Sequence, residues 1–150
     1  MTSNTSTNAK GSRRRILIVE DNPDIAELLV IRLGLAGYAT CKAKDADTAM
    51  KAVGDFKPHG ILLDIGLPGR DGFSLLQGLK ATVPYRDIPV LMLTARQAMG
   101  DIKLAMSLGA KDYVAKPFDD QKLLLRIARM LNEPVAKPTQ ADRTYVWGSR

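Results

Sequence analysis

Five short apolar runs, each followed by a stretch of helical periodicity, constrain this chain more than any other feature. The runs are Ile16–Glu20, Tyr38–Ala43, Gly60–Asp64, Pro89–Thr94 and Asp112–Ala115. Val90-Leu-Met-Leu93 is apolar at every position, as expected of a strand covered on both faces. Parallel strands need a long crossover, and every gap here holds a helix-length pattern. After the first run, Asn22 can cap a helix with Pro23 at its first position, where a missing N–H is harmless. Ile25, Leu28, Leu29 and Leu33 form its apolar stripe, and Gly37 is placed to end it. Ala46, Ala49, Met50 and Val53 repeat the pattern behind Asp45, and Phe73, Leu76 and Leu79 mark a third helix. Ile102, Ala105, Met106 and Leu108 mark a fourth, closed by Gly109; Leu123, Leu124, Ile127 and Met130 follow Asp119 as a fifth. The pattern predicts an α/β fold, one parallel sheet built as (βα) five times over.

A chain of 150 residues is long enough for one such domain. Residues 13–132 are assigned to it, residues 1–12 to a disordered Ser/Thr/Asn-rich arm, and residues 133–150 to a tail or linker. Tyr145-Val-Trp147 is the apolar patch of that tail. No apolar run approaches the ~20 residues of a membrane span, and the N-terminus lacks the apolar centre of a secretory signal. One cysteine, Cys41, permits no internal disulfide, and a cytoplasmic address is expected. The net charge of +6 invites a nucleic-acid reading until it is mapped. Ile16 to Leu131 holds 15 basic and 14 acidic residues, so the folded part is near neutral. Most of the excess is Lys10, Arg13, Arg14 and Arg15, read as a solvated lead-in that keeps a strand edge soluble.

Open parallel sheets bind ligands at the carboxyl ends of their strands. At those ends stand Glu20 and Asp21, then Asp64, Thr94, and Lys116 followed by Pro117. Clustered carboxylates at the ends of buried strands need a partner, because burying unpaired charge costs roughly several kcal/mol. Magnesium prefers hard oxygens in octahedral geometry and keeps several waters, so two or three carboxylates and a backbone carbonyl suffice. Asp21 and Asp64 are the best ligands, Glu20 acts through water, and Gly66 offers its carbonyl. A carboxylate can accept phosphorus covalently as an acyl phosphate. A lysine ammonium and a threonine hydroxyl suit the charge on the transferring oxygens.

Glu20-Asp21, Asp64, Thr94-Ala95 and Lys116-Pro117, with Leu67-Pro68-Gly69-Arg70-Asp71-Gly72 after the aspartate, resemble the receiver domain of two-component response regulators. The resemblance spans residues 13–132. It implies a doubly wound, flavodoxin-like sheet in strand order 2-1-3-4-5. Asp64 would accept a phosphoryl group from a histidine kinase or a histidine phosphotransfer protein, with Mg2+ (Mn2+ as a substitute) held by Glu20, Asp21 and Asp64. Thr94 would bond the phosphoryl group, Lys116 would pair with it, and Tyr113 would turn inward as Thr94 moves. The Lys116–Pro117 bond is expected to be cis. Output would pass through the face of helix 4, strand 5 and helix 5 to a downstream protein partner. A homodimer pairing Asp112 with Arg126 is one form of that output, though Ser107 stands where an acid often helps. Such a domain is no separate enzyme: it catalyses only its own phosphorylation and autodephosphorylation, and it touches neither membrane nor, directly, nucleic acid.

Two organisations compete. A stand-alone switch fits the 18 residues after Asn132, too few for a winged helix; the alternative is the receiver part of a larger DNA-binding regulator or hybrid histidine kinase. A haloacid-dehalogenase-type phosphatase would need an acid where Gly66 stands. A flavodoxin would need a phosphate loop where Glu20-Asp21-Asn22-Pro23 would repel phosphate. Gly66 and Arg96 flank the path of attacking water and should influence phosphoryl lifetime. Cys41 is expected as a buried strand thiol, His59 as a loop residue, and the methionines as helical core.

Overall fold

A computed structural model describes residues 13–67, 71–95 and 99–133. The five strands are β1 (Arg15–Val19), β2 (Ala39–Ala43), β3 (Gly60–Asp64), β4 (Val90–Ala95) and β5 (Asp112–Lys116). They alternate with α1 (Pro23–Leu35), α2 (Ala46–Phe56), α3 (Asp71–Ala81), α4 (Met99–Ser107) and α5 (Asp120–Met130). All pairings are parallel and the strand order is 2-1-3-4-5.

Strand periodicity of two sorts the central residues onto two faces. Leu17, Val19, Ile61, Leu63 and Met92 pack under Val53 of α2, Leu76 and Leu79 of α3 and Ala105 of α4. Ile16, Ile18, Leu62, Leu91, Leu93 and Val114 pack under Leu29 and Leu33 of α1 and Leu123, Ile127 and Met130 of α5. Filling both faces explains why the central runs are apolar throughout. The edge strands β2 and β5 are only half-buried, so Cys41 is a half-buried free thiol rather than a core one.

Local chemistry starts and stops the helices as expected. Asn22 Oδ1 accepts the N–H groups of Asp24 and Ile25, with Pro23 opening α1. Asp45 and Thr48 form a reciprocal cap on α2. Asp119 accepts from Gln121 and Lys122 at the start of α5. Gly37 and Gly109, both at positive φ, turn the chain after α1 and α4. Two stripe assignments need correction. Leu28 of α1 and Met106 of α4 are exposed, because the covered stripe is narrower than the apolar one; Met99 is exposed as well, so the methionines are not uniformly core.

The arginine triplet is not a solvated lead-in. Arg13 donates to the carbonyls of Gly37 and Tyr38 beyond α1 (3.3 and 3.1 Å). Arg14 donates to Leu131 O at the end of α5 (3.2 Å), and Arg15 Nε to Phe56 O and Lys57 O at the end of α2 (3.0 and 2.9 Å). Helix C-termini leave carbonyls unpaired and carry partial negative charge, so three consecutive cations each tie down a different helix. Glu133, assigned to the tail from sequence, also belongs to this folded corner. Its N–H bonds Ala128 O (2.8 Å), and its carboxylate meets the Tyr38 hydroxyl (3.2 Å) and Arg14 Nε (3.4 Å). Residues 1–12 and the patch Tyr145–Trp147 lie outside the described residues.

Candidate functional site

Strand register builds the site. Val19 lies opposite Leu63, which sets the next residues, Glu20 and Asp64, level with each other. Asp64 in turn is opposite Leu93, and Thr94 and Ala95 are opposite Ala115 and Lys116. Residues of different strands, 22 to 96 positions apart, are thereby delivered to one sheet edge. Carboxylate oxygens of Glu20, Asp21 and Asp64 lie within 4.8 Å of one another. Glu20 and Asp64 are buried, whereas Asp21 faces solvent.

Lys116 reaches this cluster from β5. Its Nζ lies 2.9 Å from Glu20 Oε1 and 3.3 Å from Asp64 Oδ1. The Gly66 N–H also donates to Asp64 Oδ1 (3.0 Å), and the Asn22 N–H to Glu20 Oε2 (3.2 Å). Burial pushes the Glu20 carboxyl above its usual range; the Lys116 hydrogen bond opposes this and the Asp64 charge adds to it. Burial works against the charged Lys116, but the Glu20 hydrogen bond and the charge of Asp64 outweigh it and raise the lysine. One ammonium among three carboxylates leaves an excess of negative charge on hard oxygens, with an open side at Asp21. That donor set fits a small divalent cation that retains water.

Gly72, in the first turn of α3, lets that helix lie against the end of β3. A Cβ there would come 2.6 Å from Asp64 O and 3.2 Å from Ile65 Cα. The positions that surround Asp64 thus include one that the sequence flagged only as part of a motif.

The Thr94 hydroxyl is buried and donates to Ala95 O (3.1 Å), so it stands beside the cluster rather than bonded to Asp64. Tyr113 is half-buried against the core, with the Arg126 guanidinium 5.9 Å above its ring. Arg126 Nη1 binds Asp112 Oδ1 at 2.6 Å, so these two candidates for a contact between chains pair within one chain. Ser107 donates to Leu104 O (2.7 Å). The Lys116–Pro117 peptide bond is cis. His59 precedes β3 as expected, its Nδ1 accepting the Arg15 N–H (2.9 Å). Gly69 and Arg96 lie outside the described residues, and nothing described bears on the Gly66 carbonyl as a ligand. No helix among the described residues is long and apolar enough to cross a membrane.

Comparison with known proteins agrees with this geometry. The chain is 37% identical over 128 residues to the DNA-binding response regulator MtrA of Mycolicibacterium smegmatis, covering 85% of this chain and 55% of that protein. It is 37% identical over 132 residues to the DNA-binding dual master transcriptional regulator RpaA of Synechocystis, covering 88% of this chain and 55% of that protein. The chain thus spans about half the length of these relatives. Among solved structures, the receiver domain of the sensor histidine kinase PA1611 from Pseudomonas aeruginosa superposes with a TM-score of 0.74. It shares 30% identity over 81% of this chain and all of that one, and holds a magnesium ion coordinated in its active-site cleft. Residues 16–128 match the model of the response regulator receiver domain, and this chain belongs to that family.

Proposed function

We propose that the domain is a phosphorylation switch in which Asp64 accepts a phosphoryl group from a histidine kinase or histidine phosphotransfer protein. The observation that carries this reading is the meeting of Glu20, Asp21 and Asp64 oxygens within 4.8 Å, with Lys116 Nζ 3.3 Å from Asp64. Asp21 and Asp64 would hold Mg2+ directly, with Glu20 acting through water and the Gly66 carbonyl as a further ligand. Mn2+ would serve as a substitute. When bound, the ion would supply charge neutralisation at the transferring oxygens. Gly66 N–H and Lys116 Nζ orient the Asp64 carboxylate, and one of its oxygens attacks phosphorus as the bond to the donor breaks. Lys116 then pairs with the new phosphoryl oxygens, which carry about two negative charges. Thr94 exchanges its bond to Ala95 O for one to the phosphoryl group. Tyr113 follows it inward, and the α4-β5-α5 face changes its packing for a protein partner or a second copy. The domain transforms no other substrate.

The test compares wild type with Asp64→Asn by intact mass and sizing, after incubation with Mg2+ and acetyl phosphate or beryllofluoride. A phosphoryl adduct confined to wild type is expected. Its absence from wild type, together with no Mg2+-dependent change, would sink the switch.

The 55% coverage of MtrA and RpaA favours a second reading of the organisation, in which the chain is the receiver part of a longer DNA-binding regulator. A native product heavier than this chain on a denaturing mass measurement supports it; one of matching mass supports a stand-alone switch.

A further inference from the structure

At the other edge of the sheet, where the strands begin, lies an open cleft of about 420 Å3. Arg14, His59, Lys80, Arg86 and Lys111 line it, with Asp87 as the acid on its wall. These residues come from the start of β1, the loop before β3, the end of α3, the turn after it and the loop before β5. With Arg14 paired to Glu133, Lys80, Arg86 and Lys111 stand against Asp87, a local excess in a folded unit that is otherwise near neutral.

Several of these donors are already set. Lys80 Nζ is held by Arg86 O (2.9 Å) and Ile88 O (3.0 Å), which spends two of its three N–H groups and draws the Arg86 turn onto α3. Gly109 leaves room for the Lys80 stem, which a Cβ there would approach to 3.1 Å. Because His59 Nδ1 accepts the Arg15 N–H, the neutral ring carries its proton on Nε2 and is a donor there. Arg14 is engaged by the fold, its Nη2 on Leu131 O (3.2 Å) and its Nε 3.4 Å from the Glu133 carboxylate. Arg86 and Lys111 are exposed and make no salt bridge among the described residues.

We propose that this cleft is a binding site for a di- or triphosphate group, carried by an inorganic polyphosphate or by a nucleotide. Cations converging from several directions on a concave wall focus a positive potential that a flat surface would disperse. Guanidinium forks and ammonium points both suit phosphate oxygens. A cavity of this volume matches a small ligand rather than a duplex, which would need a long basic track. Among the described residues no Phe, Tyr or Trp lines the cleft, so the recognition they offer falls on the phosphates rather than on a stacked base. The site lies at the opposite end of β3 from Asp64, about 15 Å away along the strand.

The test titrates the whole chain with pyrophosphate, tripolyphosphate and ADP in EDTA, without Mg2+, by calorimetry and amide chemical shifts. Saturable pyrophosphate binding is expected with a Kd below about 1 mM, with shifts at His59, Arg86 and Gly109. The double variant Arg86→Ala/Lys111→Ala should bind about tenfold more weakly, while its melting temperature and its phosphorylation by acetyl phosphate stay unchanged. ADP matching pyrophosphate assigns recognition to the phosphates alone; ADP binding tighter assigns the ligand to a nucleotide. Absence of saturation, shifts scattered over every basic surface, or full affinity in the double variant overturns the proposal. So does saturable binding of a DNA duplex through these residues without any binding of pyrophosphate.

Discussion

The two edges of the sheet handle charge in opposite ways. At the carboxyl edge, Glu20, Asp21 and Asp64 crowd together around a single ammonium, so like charges are left partly uncompensated. At the amino edge, Arg13, Arg14 and Arg15 each find carbonyls at a helix end, and the charges hold the layers together. The difference separates two uses of buried polarity. Crowded carboxylates cost stability and leave a site that fits a cation, whereas donors matched to carbonyls rigidify.

The contrast can be broken most completely at Asp64. Asp64→Asn should abolish the phosphoryl adduct in intact mass while raising the melting point, because removing one of three crowded carboxylates is worth about 1 kcal/mol to the fold. A loss of stability instead would mean that Asp64 is balanced after all. Lys116→Ala should act in the reverse sense. Glu20, with its side chain 1% exposed, loses its cation, and denaturant melts should show a loss of about 2–3 kcal/mol. Added Mg2+ should return part of that loss, and phosphorylation should no longer reach the α4-β5-α5 face.

At the amino edge, Arg15→Ala removes a charged donor from the last carbonyls of α2. A cost of about 1–2 kcal/mol is expected, with acetyl phosphate labelling unchanged. Altered labelling would show that the two edges are coupled.

The smallest effect concerns Tyr38, whose phenol burial, and then the charge of Glu133, push up to about 12. A folded value above the unfolded one near 10 means that the contribution is fully present below pH 10 and is lost as pH rises toward 12. Melting temperatures of wild type and Tyr38→Phe should converge over that range; parallel curves would remove Tyr38 from the ledger of the amino edge.

Much of the carboxyl edge was legible because one rule covers it: strands in a doubly wound sheet end together, so Asp64, Thr94 and Lys116 at run ends must meet. The caps at Asn22, Asp45 and Asp119 were legible for a similar reason, since each acts within three residues of itself. The amino edge was not. Arg14 meets a carbonyl 117 positions away, and Lys80, Arg86 and Lys111 share a cleft that no local pattern announces. Periodicity also marks an apolar face without saying how much of it is covered, which is why Leu28 and Met106 read as core and lie exposed. The Asp112–Arg126 pair shows the same limit, because spacing cannot tell a contact within the chain from one between chains.

The bond from Arg14 to Leu131 has a consequence for synthesis. The guanidinium leaves the ribosome among the first residues of the fold, yet its carbonyl is made almost last. Until α5 has emerged, Arg14 lacks that carbonyl, and the layer over Ile16 and Ile18 is covered by α1 alone. Arg13 and Arg15 reach carbonyls made earlier, at Gly37 and Phe56, so of the three fastenings of the first strand only the one through Arg14 waits for α5.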